Sequence, residues 1–346
     1  MKKPRRTTRR QFLQQSNVAF AVLSAPVVPL YRSESNLMES PMESQAEVQN
    51  CEVVIIGGSY AGLSAAMSLG RSLRQVLVVD SGKPCNRQTP HSHNLITHDG
   101  ATPQEIAEKA KAQVLKYGTV RWQNGIAVQA KQIPTGFEIK TESGGLFRAK
   151  KLLLATGVTD IMPDIPGFAE CWGISVLHCP YCHGYEVKQQ NIGLIGNGEV
   201  GFELCRLLYQ WSKKLTLFTN GKSTLTAEQH EKLKARQISV VEKDIAHIEH
   251  NRGYIREIVL GDGSKTPVSA VFARVRFKQH CDIPQQLGCG MSEMGHIKVN
   301  DFQKTDIPGV FAAGDSTTPF RAVSFAMASG TKAGSFINKE LIDEAF

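Results

Sequence analysis

The sequence predicts an α/β protein assembled from two Rossmann-like dinucleotide-binding units. Three observations carry this. A glycine-rich turn, GGSYAG at residues 57–62, stands between an apolar strand and a helical stretch. A second such turn, GNGEVG at residues 196–201, stands in the same setting. A short apolar strand ending in Gly-Asp, VFAAGD at residues 310–315, precedes a C-terminal helix rich in small residues.

The chain of 346 residues is long enough for two domains of ordinary size. Its net charge is +8. The first ten residues contribute +6 and residues 11–50 contribute −3, which leaves +5 spread over the rest without a basic run. That distribution argues for a solvated surface and against a nucleic-acid partner. Eight cysteines are scattered, and only Cys179 and Cys182 lie close together, so a disulfide framework is excluded.

The N-terminus, residues 1–30, pairs a basic start with Thr8-Arg9-Arg10-Gln11-Phe12-Leu13 and then a short apolar run broken by Pro26 and Pro29. It resembles a twin-arginine export signal, which carries proteins already folded, often with a cofactor inside. The resemblance implies an exported, periplasmic protein; without export the location would be cytoplasmic. Residues 31–50 are rich in Ser and Glu and read as a flexible linker, with folded structure beginning near Cys51. No long apolar run follows, so no membrane span is expected.

The first unit opens with a strand at 53–56, the glycine turn, a helix at 63–73 and a strand at 75–79 ending in Asp80. Gly57, Gly58, Ser59, Ala61 and Gly62 would let the backbone approach a pyrophosphate lying on the helix start. Ser59 stands where the fingerprint has its middle glycine. Asp80 can accept a hydrogen bond from a ribose hydroxyl. The second unit has a strand at 192–195, the turn, a helix at 202–211 and a strand at 214–218. Gly196, Gly198 and Gly201 are all present, with Glu199, Asn220 and Lys222 as further candidate nucleotide contacts. No acid follows for a 2′-hydroxyl and no arginine for a 2′-phosphate, so a Rossmann turn without a ligand stays open here.

The order of first fingerprint, LLLATG at 152–157, Cys-x-x-Cys, second fingerprint and GVFAAGD resembles the low-molecular-weight thioredoxin reductases over residues 51–346. The resemblance implies FAD in the first unit and NADPH or NADH at the second. It implies a discontinuous FAD domain, 51–163 and 288–346, with the NAD(P)-type domain inserted at 164–287. It also implies a homodimer. The loop at 82–100, matching one that wraps the flavin, brings Asn86 and Arg87 to FAD, with His93 and Asn94 as further contacts. Gly314, Asp315 and Ala322 belong to the same site.

The stretch VLHCPYCHGYE, residues 176–186, can be a redox pair, half a zinc site or a glutaredoxin centre. Zinc would need a second ligand pair at knuckle spacing, which is missing. A thioredoxin-type fold would need its own sheet downstream, and the next fingerprint opens too soon. A redox pair remains. Cysteines at i and i+3 on a helix start face the same way, and a flanking imidazolium would favour thiolate. The resemblance makes Cys182 the flavin-side thiol and Cys179 the interchange thiol. His183 replaces the family's acid and can serve as base as well as acid, or only cap the helix. CPYCHGYE looks like the thioredoxin-reductase-like dithiol oxidases, which close disulfides in small-molecule products. The expected enzyme exchanges electrons between FAD and a thiol or disulfide substrate, small molecule or protein. The alternative is a flavin-binding scaffold module with an empty second nucleotide site. No resident metal is expected.

Overall fold

A computed structural model describes residues 48–346. The export-type segment and nearly all of the expected linker lie outside these residues. The chain enters through β1 (Gln49–Ile56), followed by α1 (Tyr60–Arg71), β2 (Val76–Asp80), α2 (Pro103–Val114) and β3 (Val120–Asn124). A meander of β4 (Ala127–Ile133), β5 (Gly136–Thr141) and β6 (Leu146–Leu154) follows. Strand β1 begins two residues before Cys51, inside the stretch read as linker, because residues 49–51 pair with β6. The sheet order is β3-β2-β1-β6-β5-β4. The strands β3, β2, β1 and β6 run parallel, and the last two pairings are antiparallel. Val53, Val54, Ile55, Leu152, Leu153 and Leu154 are fully buried, which is why these strands read as unbroken apolar runs.

The chain then leaves this sheet through β7 (Val158–Ile161), α3 (Phe168–Cys171), β8 (Val176–Leu177) and the single turn α4 (Pro180–His183). The second fingerprint lies between β9 (Ile192–Ile195) and α5 (Gly198–Leu208), and β10 (Leu215–Phe218) comes next. Then follow α6 (Ala227–Lys234), β11 (Ser239–Val241), β12 (Ile245–Asn251), β13 (Tyr254–Leu260), β14 (Lys265–Pro267), β15 (Ala270–Ala273) and β16 (Arg276–Gln279). The second sheet, β11-β10-β9-β15-β8, is wholly parallel. Helix α5 starts four residues earlier than expected, since the glycine turn itself supplies its first turn.

The antiparallel ribbon of β7 and β16 joins the two Rossmann-like domains. After it come α7 (Ile283–Gln286), β17 (Val310–Ala312) and α8 (Val323–Asp343). Ile283 is fully buried in the same apolar cluster as Val54 and Leu152. The chain has therefore rejoined the first domain by Ile283, ahead of the expected return after 287. Strand β17 pairs in parallel with the end of β6 and completes the seven-stranded sheet. The first domain is thus discontinuous, with the second inserted. Helix α8 lies on α1 at close range: a Cβ on Gly330 would stand 2.0 Å from the Ala61 carbonyl oxygen. No helix among the described residues is long and apolar enough to cross a membrane.

Candidate active site

A cleft of about 920 Å³ opens along the carboxyl ends of the first sheet, where ligands of such folds sit. Its floor is the turn between β1 and α1. Gly57 has φ +101°, and a Cβ there would meet the Ala155 carbonyl oxygen at 2.2 Å. A Cβ on Gly58 would meet the Trp122 ring at 2.2 Å. Ser59, Ala61, Asp80, Asn86, Arg87, Gly314, Asp315 and Ala322 all line the cleft. Gly62 does not; it lies under the turn, where a Cβ would strike the Gly57 carbonyl oxygen at 1.9 Å. Asp80 Oδ1 accepts from the Gly58 N–H at 2.8 Å, so the acid also holds the turn in shape. Asn86 Nδ2 donates to the Tyr60 hydroxyl at 3.2 Å and Arg87 to the Pro84 carbonyl at 3.2 Å, which fixes the wrapping loop.

A charged network that sequence reading did not find closes the inner end of the cleft. Arg321 Nη1 and Nη2 donate to the two carboxylate oxygens of Asp160 at 2.6 and 3.0 Å. Trp172 Nε1 donates to the same carboxylate at 3.1 Å. Arg321 also donates to Cys85 Sγ at 3.1 Å and lies 3.5 Å from Asp315. Burial pushes the Asp315 carboxyl up, against the pull of Arg321. Burial raises the Cys85 thiol in the same way, so Cys85 stays protonated. Arg321 and Asp160 are 161 residues apart, and neither lies in a motif that links them.

Cys179 and Cys182 form a disulfide. Cys179 is the N-cap of α4, and its Sγ accepts from the Cys182 N–H at 3.1 Å. The Pro180 ring needs no N–H partner at the first helical position, which suits that turn. Cys182 and His183 line the cleft and Cys179 does not, so the Cys182 end of the disulfide is the one at the cleft. His178 also lines the cleft, with its ring 6.0 Å from that of Trp172. Burial, helped by Arg321, pushes His178 down to about 4. Burial, and next the nearby His93, lowers His183 as well. Both rings are therefore neutral near pH 7, which corrects the expected flanking imidazolium.

The second turn has a different character. Gly198 has φ +52°, and a Cβ on Gly201 would press on the Gly196 carbonyl oxygen at 2.8 Å. Asn197 Oδ1 accepts from the Gly198 and Thr224 N–H groups, each at 2.8 Å, and Asn197 Nδ2 donates to the Lys222 carbonyl. Asn220 Oδ1 accepts from the Ile245 N–H, and Glu199 accepts from Gln229. The loop after β10 is thus tied to the turn by its own side chains. The candidate residues Gly196, Gly198, Glu199, Gly201, Asn220 and Lys222 gather there and not in the first cleft.

The first cleft fits FAD on its own geometry. Its glycine turn forms a cradle that any Cβ would fill. Three polar atoms around the cleft, Thr156 Oγ1, His178 Nε2 and Arg321 Nε, are buried without a hydrogen-bond partner in the structure. Buried polar atoms left unpaired are costly, and a polar ligand would satisfy them. Fold and cleft together define a protein of two dinucleotide-binding domains with a disulfide at the edge of the first cofactor site. The chain belongs to the pyridine nucleotide-disulphide oxidoreductase family, which it matches over residues 51–330, as a thioredoxin-reductase-like flavoprotein. It is 31% identical to thioredoxin reductase sirT of Leptosphaeria maculans, over 83% of this chain and 93% of that protein. It is 32% identical to thioredoxin reductase tcpT of Claviceps purpurea, over 84% of this chain and 94% of that protein. A solved oxidoreductase from Agrobacterium tumefaciens superposes with a TM-score of 0.80 at 36% identity, covering 85% of this chain and 99% of that one. The protein is an enzyme, an FAD-dependent oxidoreductase of this family, which displaces the scaffold alternative.

Proposed function

We propose that the enzyme oxidises substrate dithiols to disulfides through Cys179 and Cys182, with FAD beside Cys182. The observation that carries this reading is the disulfide at the FAD-type cleft, with Cys182 among the residues that line it. In the proposed exchange a substrate thiolate attacks Cys179 Sγ, the Cys179–Cys182 bond breaks, and Cys182 leaves as thiolate. The second substrate thiolate then displaces Cys179, which takes one proton. The substrate has lost two electrons and two protons, and the second proton goes to the neutral His183 beside Cys182. FAD, when bound, supplies a two-electron acceptor that oxygen or another oxidant can regenerate.

Two features support this direction of flow. The loop after β10, TNGKS, offers no guanidinium fork for a 2′-phosphate, and Glu199 and Glu242 bring negative charge to it. The twin-arginine pattern supports export to a compartment kept oxidising, without a dedicated supply of reduced nicotinamide. The resemblance adds a homodimer to the proposal. One observation favours the opposite direction, NAD(P)H-driven disulfide reduction: Gly196, Gly198 and Gly201 keep the tight second turn. The test compares two rates in the purified flavoprotein. Dithiothreitol or another dithiol is expected to drive oxygen uptake, with slow bleaching of the flavin by NADPH or NADH. Fast bleaching by NADPH coupled to disulfide reduction, with negligible dithiol-driven oxygen uptake, would overturn the oxidase direction.

A further inference from the structure

One buried carboxylate is held from both domains at once. Asp160 lies on β7, opposite Phe277 of β16, in the ribbon that joins the domains. Its side chain is 6% exposed and that of Arg321 is 11% exposed. From the first domain, Arg321 Nη1 and Nη2 reach it at 2.6 and 3.0 Å, a bidentate pair. From the inserted domain, Trp172 Nε1 donates to Oδ2 at 3.1 Å. Trp172 is buried in that domain's apolar cluster with Val176 and Ile258, its ring stacked on Phe168 at 5.7 Å. The chain from Trp172 to Cys179 has little slack. The Gly173 N–H donates to the Val176 carbonyl at 2.8 Å and the Ser175 N–H to the Cys171 carbonyl at 3.0 Å. The Ser175 hydroxyl donates to the Gly253 carbonyl at 2.6 Å. His178 follows, its ring 6.0 Å from that of Trp172, and Cys179 is next.

We propose that Asp160, Arg321 and Trp172 are positioning residues that clamp the inserted domain to the first and so set Cys182 against the FAD cleft. This rests on the reading that FAD lies beside Cys182. The ribbon alone fixes the angle between the domains poorly. Strands β7 and β16 share only four residue pairs, and Ile161, Arg276 and Lys278 are exposed on them. A two-stranded ribbon is marginally stable by itself. The carboxylate adds what the ribbon lacks. A carboxylate taken out of water needs its partners, and here they belong to different domains. Turning the inserted domain away pulls either the Trp172 N–H or the guanidinium off Asp160 and leaves a buried group unpaired. The cost therefore falls on the angle between the domains, with the fold of each left intact. Arg321 is itself kept in place from the first domain: Cys85 Sγ accepts from Nη2 at 3.1 Å, and Asp315 Oδ2 lies 3.5 Å from Nε.

Two substitutions cut the clamp on opposite sides. Asp160→Asn keeps an oxygen for the Trp172 N–H and gives up the charge that holds Arg321. Trp172→Phe keeps the Arg321–Asp160 pair and most of the ring's packing, and gives up the tie to the inserted domain. Glu249→Gln, which breaks an exposed pair with Lys265 within the inserted domain, is the control. The first readout is the long-wavelength band of thiolate against oxidised flavin in a Cys179→Ser background, scaled to bound flavin. Each clamp variant is expected to lose most of that band, and the control to keep it. The second readout needs no flavin signal: trypsin cleavage within the ribbon at Arg276 or Lys278, with the cut located by mass. Cleavage there is expected to be about tenfold faster in both clamp variants, the scale of one lost hydrogen bond to a charged group. A full band in either clamp variant, or ribbon cleavage no faster than in Glu249→Gln, overturns the clamp. No band in Cys179→Ser itself, with cleavage still accelerated in both clamp variants, would sink the placement of FAD beside Cys182 and leave the clamp between the domains standing.

Discussion

His178 shows how a single side chain ties the cleft to the stability of the chain. Its ring lies among Trp172, Asp160 and Arg321, and burial holds its pKa down at about 4 against an ordinary 6.5. The unfolded chain therefore takes up a proton there near pH 6.5, whereas the folded chain resists it until about pH 4. Stability from this site is complete above the higher value and is lost as the pH falls through the window. Lowered His183 and His296 act in the same direction. Denaturant unfolding is expected to show a loss of up to about 3 kcal/mol from His178 between these limits, and His178→Gln should flatten the curve. An equally steep acid limb in the variant would contradict the assignment. At this scale the sequence was a partial guide. Cys179, Cys182 and Asp80 stood inside recognisable patterns, but Arg321 meets Asp160 and Cys85 only because β7, the loop after β2 and the segment leading into α8 converge. Such pairing is a product of the fold and has no local signature.

Among elements, strands were more legible than helix limits. The apolar runs at 53–56 and 192–195 fall within β1 and coincide with β9, since strands buried on both faces need continuous Val, Ile and Leu. Helix starts came out late, by three residues in α1 and four in α5, because glycine turns that look like loops already have helical geometry. The contact of α1 with α8 was hidden in the small residues near the C-terminus. Gly330 and Gly334 sit against the Ala61 and Ala65 carbonyls, where a Cβ would approach to 2.0 and 2.7 Å. Gly330→Ala must therefore push two helices apart, and a destabilisation of about 1–3 kcal/mol is expected by chemical denaturation, with loss of bound flavin. Gly118→Ala is the control, as its Cβ would meet nothing within 4 Å. Equal midpoints for the two variants would show that the helices have slack.

The whole molecule sets one sheet's cofactor cleft against a disulfide carried by the inserted domain. The ribbon of β7 and β16 makes that possible, leading the chain out at Val158–Ile161 and back at Arg276–Gln279. The two-domain plan could be read from the order of glycine turns, whereas the ribbon could not, because its strands are short and only half-buried. The return point at Ile283 was likewise hidden, since its burial depends on contacts with β-strands over 100 residues earlier. The account turns on which sulfur meets the cofactor. In the flavin-loaded protein, Cys179→Ser leaves Cys182 as a free thiol at the cleft wall. The visible spectrum of that variant is predicted to gain a broad long-wavelength band from a thiolate lying against oxidised flavin, and that of Cys182→Ser to lack it. A band in Cys182→Ser alone, or in neither variant, would contradict the placement of Cys182 on which the proposed function rests.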